Sequence, residues 1–261
     1  MTTSRANPGT DTGVRYEQAG PVATVTLCRP DVLNAQTPAM WTELADISRK
    51  LPGDVRVVIV RGEGRAFSAG LDLSITRGEG DSSLAELARL SPVDCAERIA
   101  GFQSGFTWLR HPSLVTLAAV RGFAIGAGFQ LALNCDMRVL AEDAQLAMAE
   151  VTLGLVPDLG GTKRLTELVG PARALEICLT GRRISAHEAD RIGLATAVVP
   201  ADQLDGAVSD LTAAVLAGQP GAVAEIKALI GGAPLRSYRD RDRAEREAQT
   251  RRLRELAGLG E

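Results

Sequence analysis

Two short stretches, residues 55–61 (VRVVIVR) and 114–120 (LVTLAAV), constrain what this chain can fold into more than anything else in it. Each is a run of β-branched and aliphatic residues without the apolar/polar alternation of a half-exposed strand. Each therefore reads as a strand buried on both faces, which requires a largely parallel sheet covered by helices. Gly-rich turns follow both runs, at 62–70 and 122–128. A strand at 22–27 (VATVTL) closes a hairpin that begins near Val14. Thr37 and Pro38 supply the N-cap and first position of a helix over 38–50. Helices are expected at 92–110, 127–135, 160–169, 173–180 and 186–192, with short strands at 137–140, 145–149 and 196–199. After Pro200 only helices are expected, at 204–217, 222–230 and 238–257. The chain thus reads as an α/β core over 13–199 followed by a helical region over 200–261. The first dozen residues read as a loose terminus, and 78–83 as a mobile loop.

Composition removes several classes of function. Lys plus Arg is 29 and Asp plus Glu is 32, a net charge of −3, so no nucleic-acid partner is expected. Aromatic residues are 3% of the chain, too few for a base-stacking platform. The four cysteines, Cys28, Cys95, Cys135 and Cys178, are far apart, with no C-x-x-C. They read as reduced thiols of a cytoplasmic protein, with no metal site. The most apolar stretch, 114–133, contains Arg121, Gln130 and several glycines and alanines, so no membrane partner is expected.

Glycine turns mark the candidate chemistry. Gly126-Ala127-Gly128 opens a helix after a buried strand, but Leu131 stands where a dinucleotide fingerprint needs its third glycine. Gly160-Gly161-Thr162-Lys163 has its lysine after the threonine and is no phosphate loop. What the first turn does offer is unpaired backbone N–H groups at a helix N-terminus, which stabilise negative charge on a polarised carbonyl. Ser68-Ala69-Gly70-Leu71-Asp72, also after a buried strand, can offer a second N–H. Glu150, within LAMAEV, is a carboxyl in an apolar setting. Desolvation should raise its pKa and suit it to proton transfer.

Taken in order, RPDVLNA (29–35), RAFSAGLDL (65–73), VRGFAIGAG (120–128), Leu131-Ala132, Cys135-Asp136, Glu150 with GLVP (154–157), GGT (160–162), LTG (179–181) and Gly193-Leu194 resemble the crotonase, or enoyl-CoA hydratase/isomerase, superfamily. The resemblance runs from about residue 14 to 257. It implies a spiral core of ββα units, a C-terminal helical trimerisation region, and assembly as a homotrimer or dimer of trimers. It implies an acyl-CoA thioester as substrate and no separate cofactor, since coenzyme A belongs to the substrate. By position it makes the Leu71 and Ala127 N–H groups an oxyanion hole. It gives the turn with Ala69, Gly70 and Asp72 the adenine end of coenzyme A, and Arg29 a phosphate.

The departures from the family pattern are as informative. Family hydratases carry two glutamates; the second matches Glu150, but the first position here is Gln130. Glutamine can hold water but cannot accept its proton at neutral pH. One carboxylate suffices to move a double bond, so isomerisation is expected over hydration. Asp158, eight residues after Glu150, matches an aspartate of dienoyl-CoA isomerases; its other reading is an N-cap of the helix from Gly160. A single-glutamate hydratase of fatty acid degradation and a non-catalytic acyl-CoA-binding protein are the alternatives. His111 and His187 read as structural, and Leu253, Leu256 and Leu259 as contacts to another subunit.

Overall fold

A computed structural model describes residues 5–7, 12–76 and 84–259. The loop expected at 78–83 lies outside the described residues. Ten strands occur in it: β1 Arg5–Asn7, β2 Val14–Ala19, β3 Val22–Leu27, β4 Val57–Gly62, β5 Val115–Val120, β6 Phe123–Ile125, β7 Met137–Ala141, β8 Gln145–Ala147, β9 Ile184–Ser185 and β10 Ala197–Val199. The α-helices are α1 Pro38–Lys50, α2 Leu73–Thr76, α3 Leu84–Arg89, α4 Pro92–Thr107, α5 Ala127–Asn134, α6 Gly161–Val169, α7 Pro171–Thr180, α8 Ala186–Arg191, α9 Leu204–Ala217, α10 Pro220–Gly232 and α11 Tyr238–Leu256.

The main sheet has seven strands in the order β1-β2-β3-β4-β5-β7-β10. β2 and β3 form the expected antiparallel hairpin, and from β3 to β10 every neighbouring pair is parallel. All six residues of β5 are buried, as its composition requires, and β4 is exposed only in part at Ile59 and Arg61. A large apolar core, with Phe67, Phe106, Phe129 and Leu131 at its centre, fills one side of the sheet. A second cluster on the other side joins Val57, Leu117 and Val139 to Leu204 and Val208 of α9. The sheet is thus covered on both faces, and α9 packs on it. Thr37 caps α1 by accepting from Met40 N–H, with Pro38 at the first position.

Two local features differ from the sequence reading. Residues 5–7 pair antiparallel with β2, Arg5 opposite Gln18, so that part of the terminus is a sheet edge. Backbone pairing of three residues, Arg5, Ala6 and Asn7, leaves no hydrophobic period to read. The turn at 122–128 contains β6, which pairs with β8, and β8 pairs with β9 in a second, three-stranded sheet.

Parallel pairing places the C-terminal ends of β4 and β5 at one edge of the sheet, as ligand sites in such sheets require. The loops leaving them are stitched side by side. Phe67 N–H donates to Arg121 C=O at 2.9 Å, Ser68 N–H to Phe123 C=O at 2.8 Å, and Ile125 N–H to Ser68 C=O at 3.0 Å.

Candidate active site

The loop after β4 is held by a second segment, the turn at 29–36. Ala69 N–H donates to Leu33 C=O at 2.8 Å, Gln36 N–H to Gly70 C=O at 2.6 Å, and Asp72 N–H to Gln36 C=O at 2.9 Å. These bonds use the groups on either side of Leu71 and leave its own N–H unbonded to any backbone carbonyl among the described residues. Ala127 is the first residue of α5, so its N–H has no intrahelical acceptor, and it too is bonded to no backbone carbonyl among the described residues.

Gly70 lets the loop that carries Leu71 approach the N-terminus of α5 closely. Its φ is +90°, and a Cβ there would lie 2.5 Å from Ile125 C=O and 3.7 Å from Ala127 N. Gly128, the second residue of α5, allows a similar approach to the same loop, where a Cβ would meet Ser68 Cβ at 2.7 Å.

Glu150 starts a 3₁₀ turn, Glu150–Leu153, separated from the end of β8 by Met148 and Ala149. Gly126 has φ +51°, and a Cβ on it would lie 3.2 Å from Glu150 Oε1, so the carboxyl sits against the N-terminus of α5. Oε1 accepts from Gln130 Nε2 at 2.7 Å. Oε2 is buried and has no hydrogen-bond partner among the described residues. Burial pushes the Glu150 pKa up, against its own backbone N–H and the Gln130 amide; the charge of Asp158 pushes it further up. Burial raises the Asp158 pKa as well.

Gln130 is 1% exposed and its amide is committed. Oε1 accepts from Leu159 N–H at 2.8 Å and from Gly161 N–H at 3.1 Å. Two donors on Oε1 fix the amide orientation and leave Nε2 facing Glu150. Asp158 is not a helix cap: Gly160 is the N-cap of α6, with no side-chain bond to the helix. The alternative reading of Asp158 therefore fails, because the positive φ of Gly160, +86°, already starts the helix two residues later.

A family model described as enoyl-CoA hydratase/isomerase matches residues 17–254. The chain belongs to the enoyl-CoA hydratase/isomerase family. A solved structure of a candidate enoyl-CoA hydratase from Thermobifida fusca YX is 46% identical, with a TM-score of 0.89 and 95% of each chain covered. The same organism's protein has also been solved with CoA and with acetoacetyl-CoA. The "Probable enoyl-CoA hydratase echA8" of Mycobacterium tuberculosis is 36% identical over 185 residues, 70% of this chain and 67% of that protein. The carnitinyl-CoA dehydratase of Salmonella enteritidis is 36% identical over 211 residues, 80% of this chain and 76% of that one. The mixed α/β architecture with its C-terminal helices is the crotonase fold.

Within this crotonase frame, Arg29 and Asp72 meet each other. Arg29 Nη1 donates to Asp72 Oδ2 and to Ala35 C=O, at 2.8 and 2.6 Å. Burial pushes the Asp72 pKa up, but hydrogen bonds from Ser74 and the Arg29 guanidinium outweigh it and hold the carboxyl below its usual range. Ala69, half-buried, lies on the same loop.

Sequence reasoning missed the residues that brace the site. Asn34, buried in the turn at φ +56°, donates to Glu63 and Ala66 carbonyls at 2.9 and 2.8 Å. Ser68 Oγ donates to Asn34 C=O at 2.8 Å and accepts from Gln36 Nε2 at 3.1 Å. Asn134 Nδ2 donates to Gln130 and Leu159 carbonyls at 2.9 and 3.1 Å, and Gln103 Nε2 donates to Asp158 C=O at 2.6 Å. Asn34 had a signal: a polar residue able to adopt the left-handed region, inside RPDVLNA. Gln103 and Asn134 had none: Gln103 bonds the Asp158 carbonyl and Asn134 the Leu159 carbonyl, both remote in sequence, and the bond from Asn134 to the Gln130 carbonyl one helical turn back leaves no pattern of its own. His111 and His187 are exposed.

Proposed function

We propose that this enzyme moves the double bond of an unsaturated acyl-CoA, with the thioester oxygen held by the Leu71 and Ala127 N–H groups. Glu150 takes the proton from carbon 2 of a 3-enoyl-CoA. The electron pair left behind delocalises into the thioester oxygen, giving a dienolate that the two N–H donors stabilise. Returning the proton at carbon 4 leaves the double bond between carbons 2 and 3. The raised pKa of Glu150 suits a group that must both accept and release that proton near neutral pH.

The observation that carries this reading is the commitment of Gln130. Its amide is spent on Leu159, Gly161 and Glu150, so position 130 offers no base for water. Acyl-CoA as the substrate class is supported by the acetoacetyl-CoA held by the Thermobifida fusca relative. In this reading Ala69 and Asp72 border the adenine end of coenzyme A. Arg29 acts there through Asp72.

Hydration is the second reading, and Asp158 favours it. Its charge reaches Glu150, so it can serve as the second carboxyl that Gln130 is not. Purified protein assayed with a 2-enoyl-CoA and a 3-enoyl-CoA separates the two. Faster turnover of the 3-enoyl substrate is expected. Hydration at the higher rate overturns the isomerase reading. Thermal protection by acyl-CoA without turnover of either substrate identifies a binding protein.

A further inference from the structure

We infer that Gln130 is a positioning residue for Glu150: it pins Oε1 of the carboxylate and leaves Oε2 as the one oxygen that exchanges protons. This deepens the proposed function and rests on Glu150 being the acid/base group. The geometry is over-determined. The Leu159 and Gly161 N–H groups fix Gln130 Oε1, so Nε2 can only donate, and its acceptor is Glu150 Oε1 at 2.7 Å. The side chain is itself anchored by packing, since Gly161 lies against it: a Cβ on Gly161 would meet Gln130 Cγ at 2.6 Å. Oε2, buried and without a partner among the described residues, is what remains for substrate.

An amide here does what a carboxylate cannot. It donates to an anion, favouring the ionised form of Glu150 and opposing the burial that disfavours it. The other ionisable groups bearing on Glu150 are Asp158, in the loop before α6, and the Cys178 thiol on α7. The charge of Asp158 opposes ionisation of Glu150, and no cation among the described residues offsets it. Gln130 is thus the side chain that keeps a desolvated carboxyl usable as a base.

Two variants test this, Gln130→Met and Gln130→Glu. The first keeps the length and deletes the amide. The second keeps the acceptor for Leu159 and Gly161 but sets an oxygen against Oε1. With Gln130→Met, the acidic limb of kcat/KM should move to higher pH. At a fixed pH below that limb kcat should fall about ten-fold, the worth of one hydrogen bond to a charged group, with KM little changed. Titration of Glu150 by NMR on protein labelled at the glutamate carboxyl carbons gives a readout that needs no turnover. Its midpoint should rise in Gln130→Met. In Gln130→Glu two coupled steps should appear, one displaced upward, because two carboxylates in contact retain a proton.

An unmoved Glu150 midpoint in folded Gln130→Met, or a single unshifted step in Gln130→Glu, overturns the inference. If Gln130→Met does not fold, Gln130→Glu decides alone. Absence of turnover with every enoyl-CoA would sink the isomerase reading, while the NMR titration would still decide the link between Gln130 and Glu150.

Discussion

Replacing Gly70 by alanine tests whether the two N–H groups work as a pair. The added Cβ would sit 2.5 Å from Ile125 C=O, where ordinary contact begins near 3.4 Å, so one loop must retreat by roughly 0.9 Å. That retreat separates the Leu71 side of the site from Ala127 N, now 3.7 Å from the position of the new methyl. Misplacement on the order of 1 Å in a catalytic constellation costs roughly 10²-fold, and loss of one oxyanion donor about 2.7–4 kcal/mol. A fall of about 10²–10³ in kcat/KM follows. Gly70 also has φ +90°, which adds about 1–2 kcal/mol of backbone strain for any L-residue. Gly20→Ala isolates that second effect. Gly20 has φ +56° and nothing within 4 Å of a Cβ, so it should lose stability, about 2–4 °C in Tm per kcal/mol, and keep its activity. Following the ultraviolet absorbance of the conjugated enoyl thioester measures turnover, and calorimetry measures Tm. If folded Gly70→Ala turns over as wild type does, the two loops do not form an oxyanion hole.

Glu150→Gln should reduce turnover by at least about 10²-fold while acyl-CoA still protects the protein in thermal melts. Because burial raises the folded-state pKa of Glu150, its ionisation weakens the fold. Stability is fully retained below the unfolded value and is lost as pH rises through the folded one. The Tm difference, Glu150→Gln minus wild type, should therefore grow between acidic and neutral pH; a constant difference refutes the burial argument. Asp158→Asn removes a like charge, so the acidic limb of kcat/KM should move to lower pH, opposite to Gln130→Met, and an upward shift would contradict the geometry. Leu253 and Leu256 are 56% and 72% exposed on α11. With Leu253→Asp and Leu256→Asp together, light scattering should show a smaller species than the trimer expected for wild type. A wild-type monomer at micromolar concentration would refute that expectation.

Periodicity made the sheet legible, and glycine spacing located the site. Residues 55–61 and 114–120 read as buried because apolar residues fall on both faces of each run, and both form central strands. Gly70, Gly126 and Gly128 marked close approach because each sits where a Cβ would strike another segment or the Glu150 carboxyl. What sequence could not show is which polar atoms are already paired. Arg29 reads as a free cation able to meet phosphate, yet its guanidinium is bound to Asp72 and Ala35. Gln130 reads as an amide able to hold water, yet its acceptor is filled by two N–H groups more than a helix away in sequence. Hydrogen-bond partners of this kind are set by the packing of α5 against the turn before α6, which no local pattern encodes.

This difference between legible and hidden features bears on how reactions diverge on one fold. The two N–H groups proposed at Leu71 and Ala127 belong to the backbone, so the role proposed for them would survive substitution of the side chains there as long as Gly70 and Gly126 keep the turns. The proton-handling groups are side chains and can be exchanged one at a time. Here positions 130, 150 and 158 hold an amide and two carboxyls, and burial raises the pKa of both acids. A third carboxylate at position 130 would face Glu150 across 2.7 Å and could not ionise beside it. An amide there removes that repulsion and adds a donor. In the mechanism we propose, Glu150 can then be both buried and basic, with Oε2, unpaired among the described residues, left for a substrate whose carbonyl would be held by the N-terminus of α5.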